Sequence, residues 1–571
     1  MQKLDGFMGQ GITMNNLLNL FTSTIFLLFF TLSCQNIEQQ DNSTPVITDT
    51  IYISLNHDTT LLYLDSTQIL NFLTRYPLAD DIQMNIISFY KRRNYEFAWI
   101  NNFGINEIAG NFINLLNHED VTYSNDSLFY FNRIQEIYNI ISEDFNKDIS
   151  DSLIAELEIL LSLNLFDYAN RNWRGISDDK IREAGWFIAR KQLNYEELLD
   201  SLLKSKGHLI SAFEPVYPQY SLLKKFLIIY SDIEKGGGWK YDYPKNVDFK
   251  KGDTATIFSD LKMQLYVMGD LAVADSSNVF NDELIIAVSK FQKRHGLNAN
   301  GLLDEKTLLA LSVPVHERLQ QILINMERSR WVPAEQKGDY IVVNIPAFKM
   351  FVFHNDSLEW TCNVIVGKTT ETNNTVIFND NLEYVVFNPY WNIPKNILIK
   401  ETLPAIKKNP DYLRNHNMEV VDAEGNHIKE SSINWIHYTK HFPYIIRQKP
   451  GKNNSLGAIK FLFPNSYEIY MHDTPEKSLF GETTRTFSHG CIRLEEPFKL
   501  AEFLLREDSS WTRGKITAVM DGGKQSFVKL KNKVPVFIAY FTTWVDRNGN
   551  LNFRDDVYHH DDKMKQLLFA D

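Results

Sequence analysis

The chain has 571 residues, of which 44% are hydrophobic and 13% aromatic, and its formal net charge is −12. At about 100–200 residues per domain, this length predicts three or four domains with well-filled cores. The acidic balance argues against a nucleic-acid partner, which would require clustered Lys and Arg side chains. Three cysteines argue against a disulfide framework.

An apolar run from Leu17 to Leu32 predicts an export segment at 1–35, because it has the length of a signal-sequence core and is short for a membrane span of about 20 residues. Cys34 follows it in a sequence that resembles a lipoprotein cleavage box, which predicts lipidation of Cys34. An uncleaved membrane anchor and plain secretion are the alternatives. All three place the body of the protein in the cell envelope, outside the cytoplasm, after a polar tether at 36–54.

Residues 55–245 are predicted to form a helical domain. Apolar side chains recur there at helical spacing, as at Leu153, Leu157 and Leu160. No cluster of catalytic side chains stands out in this region, so its expected role is that of a scaffold. Three consecutive glycines from Gly236 break the pattern and mark its end.

A compact helical module is predicted at 250–313, followed by a connecting helix at 314–335. Asp304 is expected to start one of the helices of the module. One face of another helix carries the apolar side chains Leu284, Ala287, Val288 and Phe291.

The hydrophobic period changes from helical to alternating beyond residue 338. Alternation at 340–345 and 349–353 predicts strands of a β-rich catalytic domain that spans 338–523. Mixed helical and polar sequence at about 400–452 interrupts these strands and is predicted to form a lid over the site. A last strand and a charged surface tail are predicted at 524–571.

The run Ser488-His489-Gly490-Cys491-Ile492-Arg493 carries the chemistry, together with His472, which precedes the cysteine by 19 residues. A free thiol has a pKa of about 8.5, so a neighbouring base is needed to form the nucleophilic thiolate at neutral pH. We expect His472 to be this base, oriented by the side chain or the carbonyl oxygen of Asp473. Gly490 allows a sharp turn before Cys491, and the amides of both residues are candidate donors to the oxyanion of a tetrahedral intermediate.

Two other interpretations of these residues stay open. One is that Cys491 is inert, as is expected of Cys362, which lies in an apolar run. The other is a zinc site built from His472, His489 and Cys491, although these residues lack the close pair spacing typical of zinc motifs.

The signature from His472 to Arg493 resembles the active site of the L,D-transpeptidases, the YkuD-type catalytic domain of bacterial cell-wall enzymes. Two further blocks, 387–394 and 456–465, resemble the long periplasmic members of this family. Those members also carry a helical scaffold and a peptidoglycan-binding module. The resemblance therefore implies a multidomain α+β fold with a helical scaffold domain, a small three-helix peptidoglycan-binding-like module and a β-rich catalytic domain with a lid insertion.

The resemblance also implies a reaction. Cys491 would attack the carbonyl of the third stem-peptide residue, expel the terminal D-Ala and form a thioester, which an amine of a neighbouring stem resolves into a 3→3 cross-link. His489 would shape the acyl pocket and the oxyanion region, and the alternative is that His472 and His489 exchange roles. Arg493 would either hold its loop or meet a substrate carboxylate. The residues implied to bind substrate beside Arg493 are Ser488, Tyr470 and Trp391.

The expected partners are peptidoglycan stem peptides, with glycan strands as a second candidate ligand and the membrane as partner of the N-terminal anchor. No metal or organic cofactor is implied, and carbapenems are expected to acylate the thiol. A zinc-dependent cell-wall peptidase and a non-catalytic wall-binding protein are the alternative functions. Four acyl acceptors are compatible with the sequence: a stem peptide, a D-amino acid, water and a protein lysine.

Overall fold

The computed structural model describes residues 61–78, 80–119, 130–143, 149–188, 216–239, 249–333 and 336–569, with the single residues Asn194, Glu197, Leu199 and Tyr243. Cys34, the predicted export segment and the predicted tether lie outside these residues. Across the described part of the chain, no helix combines the length and the apolar character that a membrane span requires.

The N-terminal region is helical and is built around one buried helix, Asp151–Ala169. This helix begins where the Ser150 hydroxyl accepts a hydrogen bond from the Leu153 N–H, and it is apolar on nearly all sides, as expected of a helix surrounded by others. The other helices of the region are Ser66–Arg75, Asp80–Arg92, Glu107–Glu119, Phe131–Glu143, Asp178–Glu183 and Gln219–Lys235.

The predicted helical module consists of the helices Ile257–Val267, Asp282–Arg294 and Glu305–Leu311. Side chains cap two of them, because Asn281 accepts from the Leu284 N–H and Asp304 from the Thr307 N–H. The four apolar side chains predicted to line one helix face are all buried in the core of the module. The next helix, Val315–Ser329, packs into the core of the N-terminal region.

The strands, numbered in chain order, are β1 Ile100–Asn101, β2 Gly104–Ile105, β3 Trp186–Phe187, β4 Asp339–Asn344, β5 Lys349–His354, β6 Ser357–Gly367, β7 Ile377–Phe387, β8 Trp391–Asn392, β9 Met418–Val421, β10 His427–Ile428, β11 Ile445–Gln448, β12 Ile459–Leu462, β13 Met471–His472, β14 Thr486–Ser488, β15 Ile492–Leu494, β16 Ser526–Ala539, β17 Thr543–Val545 and β18 Leu551–Phe553.

Ten of these strands form the main sheet, in the order β12-β13-β15-β6-β5-β4-β16-β7-β3, with β14 paired to β6. Strand β12 also pairs with β7, so the sheet closes on itself and these strands leave no open edge between them. The helices Pro497–Leu505 and Arg513–Asp521 pack against its core. The β-rich fold class expected for this region is confirmed.

The insertion between β7 and β12 is a small folded unit. It has a four-stranded sheet in the order β10-β9-β11-β8 and the short helices Lys395–Ile397, Leu403–Lys408 and Tyr412–Asn415. Buried side chains such as Leu403, Val420 and Ile446 give it a hydrophobic core of its own. Because Trp391 in β8 pairs with Gln448, the unit begins before the predicted boundary at 400.

The C-terminal segment contains a strand where one was expected, but its charged end forms a packed helix and not a surface tail. Strand β16 is interior, since it pairs parallel with β4 and antiparallel with β7. The following helix, His560–Phe569, is anchored by the buried Asp561, which forms an ion pair with Arg328 at 2.5 Å. The sequence around Asp561 predicts an exposed tail because it is rich in charged residues. Its partner Arg328 lies more than 200 positions away, so the ion pair that buries Asp561 could not be predicted.

Candidate active site

Two parallel strands bring the predicted base and nucleophile together. In the β13–β15 pair, Met471 lies opposite Ile492 and His472 opposite Arg493. The Ile492 N–H donates to the Tyr470 carbonyl oxygen at 3.1 Å, which fixes Cys491 at the start of β15. Strand pairing thus brings two residues that are 19 positions apart in sequence into the lining of one pocket.

The turn before the nucleophile is held by hydroxyl groups. Gly490 has φ = 118°, a conformation that strongly favours glycine. The Ser488 hydroxyl accepts from the Gly490 N–H at 3.1 Å and donates to the Cys491 carbonyl oxygen at 2.6 Å. The Thr375 hydroxyl donates to the Gly490 carbonyl oxygen at 2.8 Å. The Gly490 N–H is therefore engaged by the Ser488 hydroxyl, whereas no acceptor among the described residues faces the Cys491 N–H.

His472 is buried, with 5% of its surface exposed. Its Nδ1 lies 2.5 Å from the Asp473 carbonyl oxygen, so the carbonyl and not the carboxylate orients the ring. Burial lowers the pKa of His472 to about 3, and the positive charge of Arg493 acts in the same direction. The ring is therefore neutral at pH 7, and donation from Nδ1 leaves Nε2 as the basic nitrogen.

The Cys491 thiol is partly exposed, and its Sγ lies 3.9 Å from the Glu468 carbonyl oxygen. Burial raises the pKa of Cys491, while hydrogen bonding to the Tyr470 N–H and the positive charge of Lys460 lower it. Burial also raises the pKa of the Tyr470 hydroxyl well above its usual value. The resting thiol is thus protonated, within a group of donors and charges that favour the thiolate.

A pocket of about 460 Å³ surrounds the thiol. Among the residues predicted for the site, those lining this pocket are Trp391, Tyr470, His472, Ser488, His489, Gly490, Cys491 and Arg493. Asp473 is absent from the lining, because its carboxylate accepts from the Ala458 N–H at 2.9 Å and from Lys477 at 2.7 Å.

One hydrogen bond and one ion pair tie neighbouring segments to the site. His489 Nε2 lies 2.9 Å from Glu401 Oε1, which belongs to the inserted unit. Arg493 pairs with Glu476, a residue of the loop after β13. Of the two roles predicted for Arg493, holding a loop and meeting a substrate carboxylate, the observed contact corresponds to the first.

Three residues of the site were missed from the sequence. Lys460 lies opposite His472 in the β12–β13 pair, and its Nζ is 3.6 Å from the centre of the Tyr470 ring. Alternation along the two strands would have placed Lys460 and His472 on the same face of the sheet if the register of the strands had been known. Thr375 and Glu401 gave no signal, since neither lies near the motif in sequence.

Comparison with known proteins matches three segments to family models. Residues 338–536 match the YkuD L,D-transpeptidase catalytic domain. This segment is an L,D-transpeptidase catalytic domain of the YkuD family. Residues 85–227 match a scaffold domain, and residues 258–311 match a domain described as peptidoglycan binding.

A Haemophilus influenzae protein named as an L,D-transpeptidase is 36% identical over 242 residues, which are 42% of this chain and 48% of that protein. The chain thus spans about half the length of the curated relative. The crystal structure of an L,D-transpeptidase from Xylanimonas cellulosilytica covers 52% of this chain and 100% of its own chain, at 12% identity. The crystal structure of an L,D-transpeptidase from Stackebrandtia nassauensis covers 52% of this chain and 97% of its own chain, at 14% identity. Their TM-scores are 0.16 and 0.20.

Proposed function

We propose that the chain is an exported L,D-transpeptidase that joins peptidoglycan stem peptides into 3→3 cross-links through a thioester on Cys491. The observation that carries the proposal is the placement of a neutral, oriented His472 and the Cys491 thiol in one pocket, on paired strands. The match of 338–536 to the YkuD catalytic domain supports the same reaction class.

In the acylation step, His472 takes the thiol proton as Sγ attacks the carbonyl carbon of the third stem residue. The Cys491 N–H, which has no acceptor among the described residues, donates to the oxyanion. Collapse of the tetrahedral intermediate breaks the peptide bond, and the imidazolium returns the proton to the leaving D-Ala amine. An acceptor amine then attacks the thioester, loses a proton to His472 and releases the thiol.

The remaining predicted residues take supporting roles in this proposal. Ser488 and Gly490 hold the turn that presents the thiol. Tyr470 and Trp391 line the wall of the pocket that receives the stem peptide, and His489 borders it on the side of the inserted unit. Asp473 contributes through its carbonyl oxygen alone.

The zinc alternative requires ligand atoms of His472, His489 and Cys491 to converge, and they do not form such a group. Within the described residues, three potential ligands come within 4.8 Å of one another only at Asp556, His559 and Asp562. The Asp556 carboxylate there already accepts from the Tyr540 hydroxyl and from the first N–H groups of the last helix. These observations favour the thioester mechanism over a zinc peptidase.

The experiment that tests the proposal is incubation of the purified chain with a defined tetrapeptide fragment, followed by mass analysis of protein and products. We expect a protein adduct equal to the tetrapeptide less D-Ala, together with free D-Ala and cross-linked dimers. Release of D-Ala without any protein adduct, in a reaction that a chelator stops, would instead support the zinc peptidase. Absence of both D-Ala release and adduct would support the non-catalytic wall-binding protein.

A further inference from the structure

A second cleft, of about 600 Å³, lies between the three-helix module and the catalytic domain. The module contributes one wall through the end of the Asp282–Arg294 helix and the start of the Glu305–Leu311 helix. The catalytic domain contributes the other wall through the β4–β5 turn and the loop before β14. The cleft is separate from the pocket around Cys491, with which it shares no lining residue.

Positive charge dominates the cleft, although the chain as a whole has a net charge of −12. Only two carboxylates line it, those of Glu482 and Asp555, and both are exposed. Its cationic lining residues are Lys293, Lys306, Arg318, Lys349, Arg485 and Arg554. Throughout the described ranges, no carboxylate lies within 4.0 Å of the charged nitrogens of these six side chains.

Several of these cations are buried without an ion-pair partner among the described residues, although the negative charge of Asp555 partly offsets the effect of burial at Arg318 and Arg554. Arg318 is 7% exposed, and its Nε is a buried donor with no hydrogen-bond partner. Burial lowers the pKa of Arg318 to about 10, and burial lowers that of Arg554 to about 10 as well. Burial, Arg485 and Arg554 together lower the pKa of Lys349. Because buried charges of one sign repel one another, a bound anion would stabilise this arrangement.

We propose that this cleft binds the carboxylates of a peptidoglycan stem peptide other than the one that reacts at Cys491, an inference that rests on the proposed function. The two walls belong mainly to the module that matches a peptidoglycan-binding domain and to the domain proposed to process stem peptides. Arg318 and Arg554 come from the Val315–Ser329 helix and from the segment after β18. Stem peptides carry several carboxylates along a flexible chain, which suits cations distributed over two facing walls.

Binding here would also hold the wall polymer close to the reacting centre. Arg485 directly precedes β14, which ends at Ser488. Its guanidinium donates to the Phe348 and Val364 carbonyl oxygens, so the cleft wall and the turn that presents Cys491 belong to one rigid segment. A strand of peptidoglycan bound in the cleft would therefore keep its neighbouring stems near the pocket and raise their effective concentration.

The test compares the full chain with Lys293→Glu/Lys306→Glu, which alters two exposed side chains and leaves the buried arginines in place. Retention on insoluble peptidoglycan is measured with native material and with material whose carboxylates are amidated. The control is Lys515→Glu/Lys524→Glu, which makes the same charge change at exposed positions outside the cleft. Turnover of a soluble tetrapeptide is measured for all three proteins.

We expect the cleft variant to lose about tenfold in affinity for native peptidoglycan, since charge-assisted contacts are the stronger class of hydrogen bond. The cleft variant should lose no affinity for amidated peptidoglycan, and it should turn over tetrapeptide at the rate of the parent. The control variant should match the parent in both binding and turnover. Equal binding of parent and cleft variant to native peptidoglycan, or an equal loss on amidated material, would overturn the inference. Failure of the proposed function would look different, because the parent itself would then fail to turn over tetrapeptide.

Discussion

At the scale of single residues, the protonation states of Cys491 and His472 determine how the thiol is activated. Burial lowers the pKa of His472 to about 3 and raises that of Cys491. At pH 7 the resting pair is therefore a neutral thiol and a neutral imidazole, and not a preformed ion pair. In the proposed mechanism the proton would therefore move during attack, with His472 acting as a general base.

Replacing His472 should distinguish general-base catalysis from a thiolate–imidazolium pair that is already formed at rest. His472→Ala should slow acylation by about 10²- to 10⁴-fold, the usual contribution of a positioned base. It should leave the pH dependence of Cys491 alkylation nearly unchanged, because no positive charge is lost near the thiol at pH 5–8. The matched control is His489→Ala, which removes the other imidazole of the pocket. A marked rise in the apparent thiol pKa of His472→Ala would point to a thiolate–imidazolium pair at rest.

The two described cysteines offer a second comparison. Cys362 is buried at 3% exposure in β6, and burial raises the pKa of its thiol to about 12. Incubation with a carbapenem should therefore add one drug molecule per chain at Cys491. We expect Cys362→Ala to form the same adduct as the parent and Cys491→Ala to form none, as read from intact mass. An adduct on Cys491→Ala would place the reactive nucleophile elsewhere.

At the scale of elements, the inserted unit meets the site through Glu401 and His489. This contact links a unit that has its own core to the residue that precedes Gly490. Closure of such a unit over a thioester would exclude water and favour an amine acceptor over hydrolysis.

Loosening this contact should change the products. Glu401→Gln should raise the ratio of hydrolysed tripeptide to cross-linked dimer, by no more than about fivefold, because an exposed contact between polar or charged side chains contributes about 0.2–1 kcal/mol. The control is Glu424→Gln, in the exposed turn between β9 and β10. The ratio is read by mass analysis of the products. An unchanged ratio with normal thiol reactivity would mean that acceptor choice is determined elsewhere in the pocket.

Elements were easier to predict from the sequence than their pairing. Alternating apolar residues predicted β4 and β5 to within two residues, since period-2 burial is a local property. The interior position of β16 was not predicted, because the sequence of an apolar strand does not indicate which strands pair with it. Likewise, the His–Gly–Cys motif predicted residues that line the pocket, but Thr375 and Lys460 reach it through long-range contacts and strand register.

At the scale of the whole molecule, the C-terminal segment after the catalytic sheet packs into the core of the helical region. Leu551 and Phe553 of β18, which follow the catalytic sheet in sequence, are buried with Leu319 and Ile322 among the helices of the N-terminal region. Tyr558, still further along, donates from its hydroxyl to the Gly367 carbonyl oxygen at 2.6 Å and accepts from the Thr375 N–H. The C-terminal segment thus connects the core of the scaffold region to the support of the nucleophile turn, so scaffold stability should influence the site.

The buried carboxyl group of Glu158 makes that stability dependent on pH. Its side chain is fully buried in the Asp151–Ala169 helix and accepts from the Ala98 N–H, the Trp99 N–H and the Tyr90 hydroxyl. Burial nevertheless raises the pKa of Glu158 from 4.5 to about 7. Between these two values the folded state holds a proton that the unfolded state has lost, so this group lowers the free energy of unfolding as pH rises from 4.5 to about 7.

Glu158→Gln should remove this component of the pH dependence while destabilising the region at every pH. The amide cannot accept from both backbone N–H groups, and an unsatisfied buried donor costs about 1–3 kcal/mol. The measurement is hydrogen-exchange protection of the Asp151–Ala169 helix across pH 4.5–8, after correction for intrinsic exchange. The control is Glu136→Gln, whose glutamate is 59% exposed in the same region and pairs with Arg133. Parallel pH profiles for the parent and Glu158→Gln would show that Glu158 is ionised throughout this range, held by its three donors.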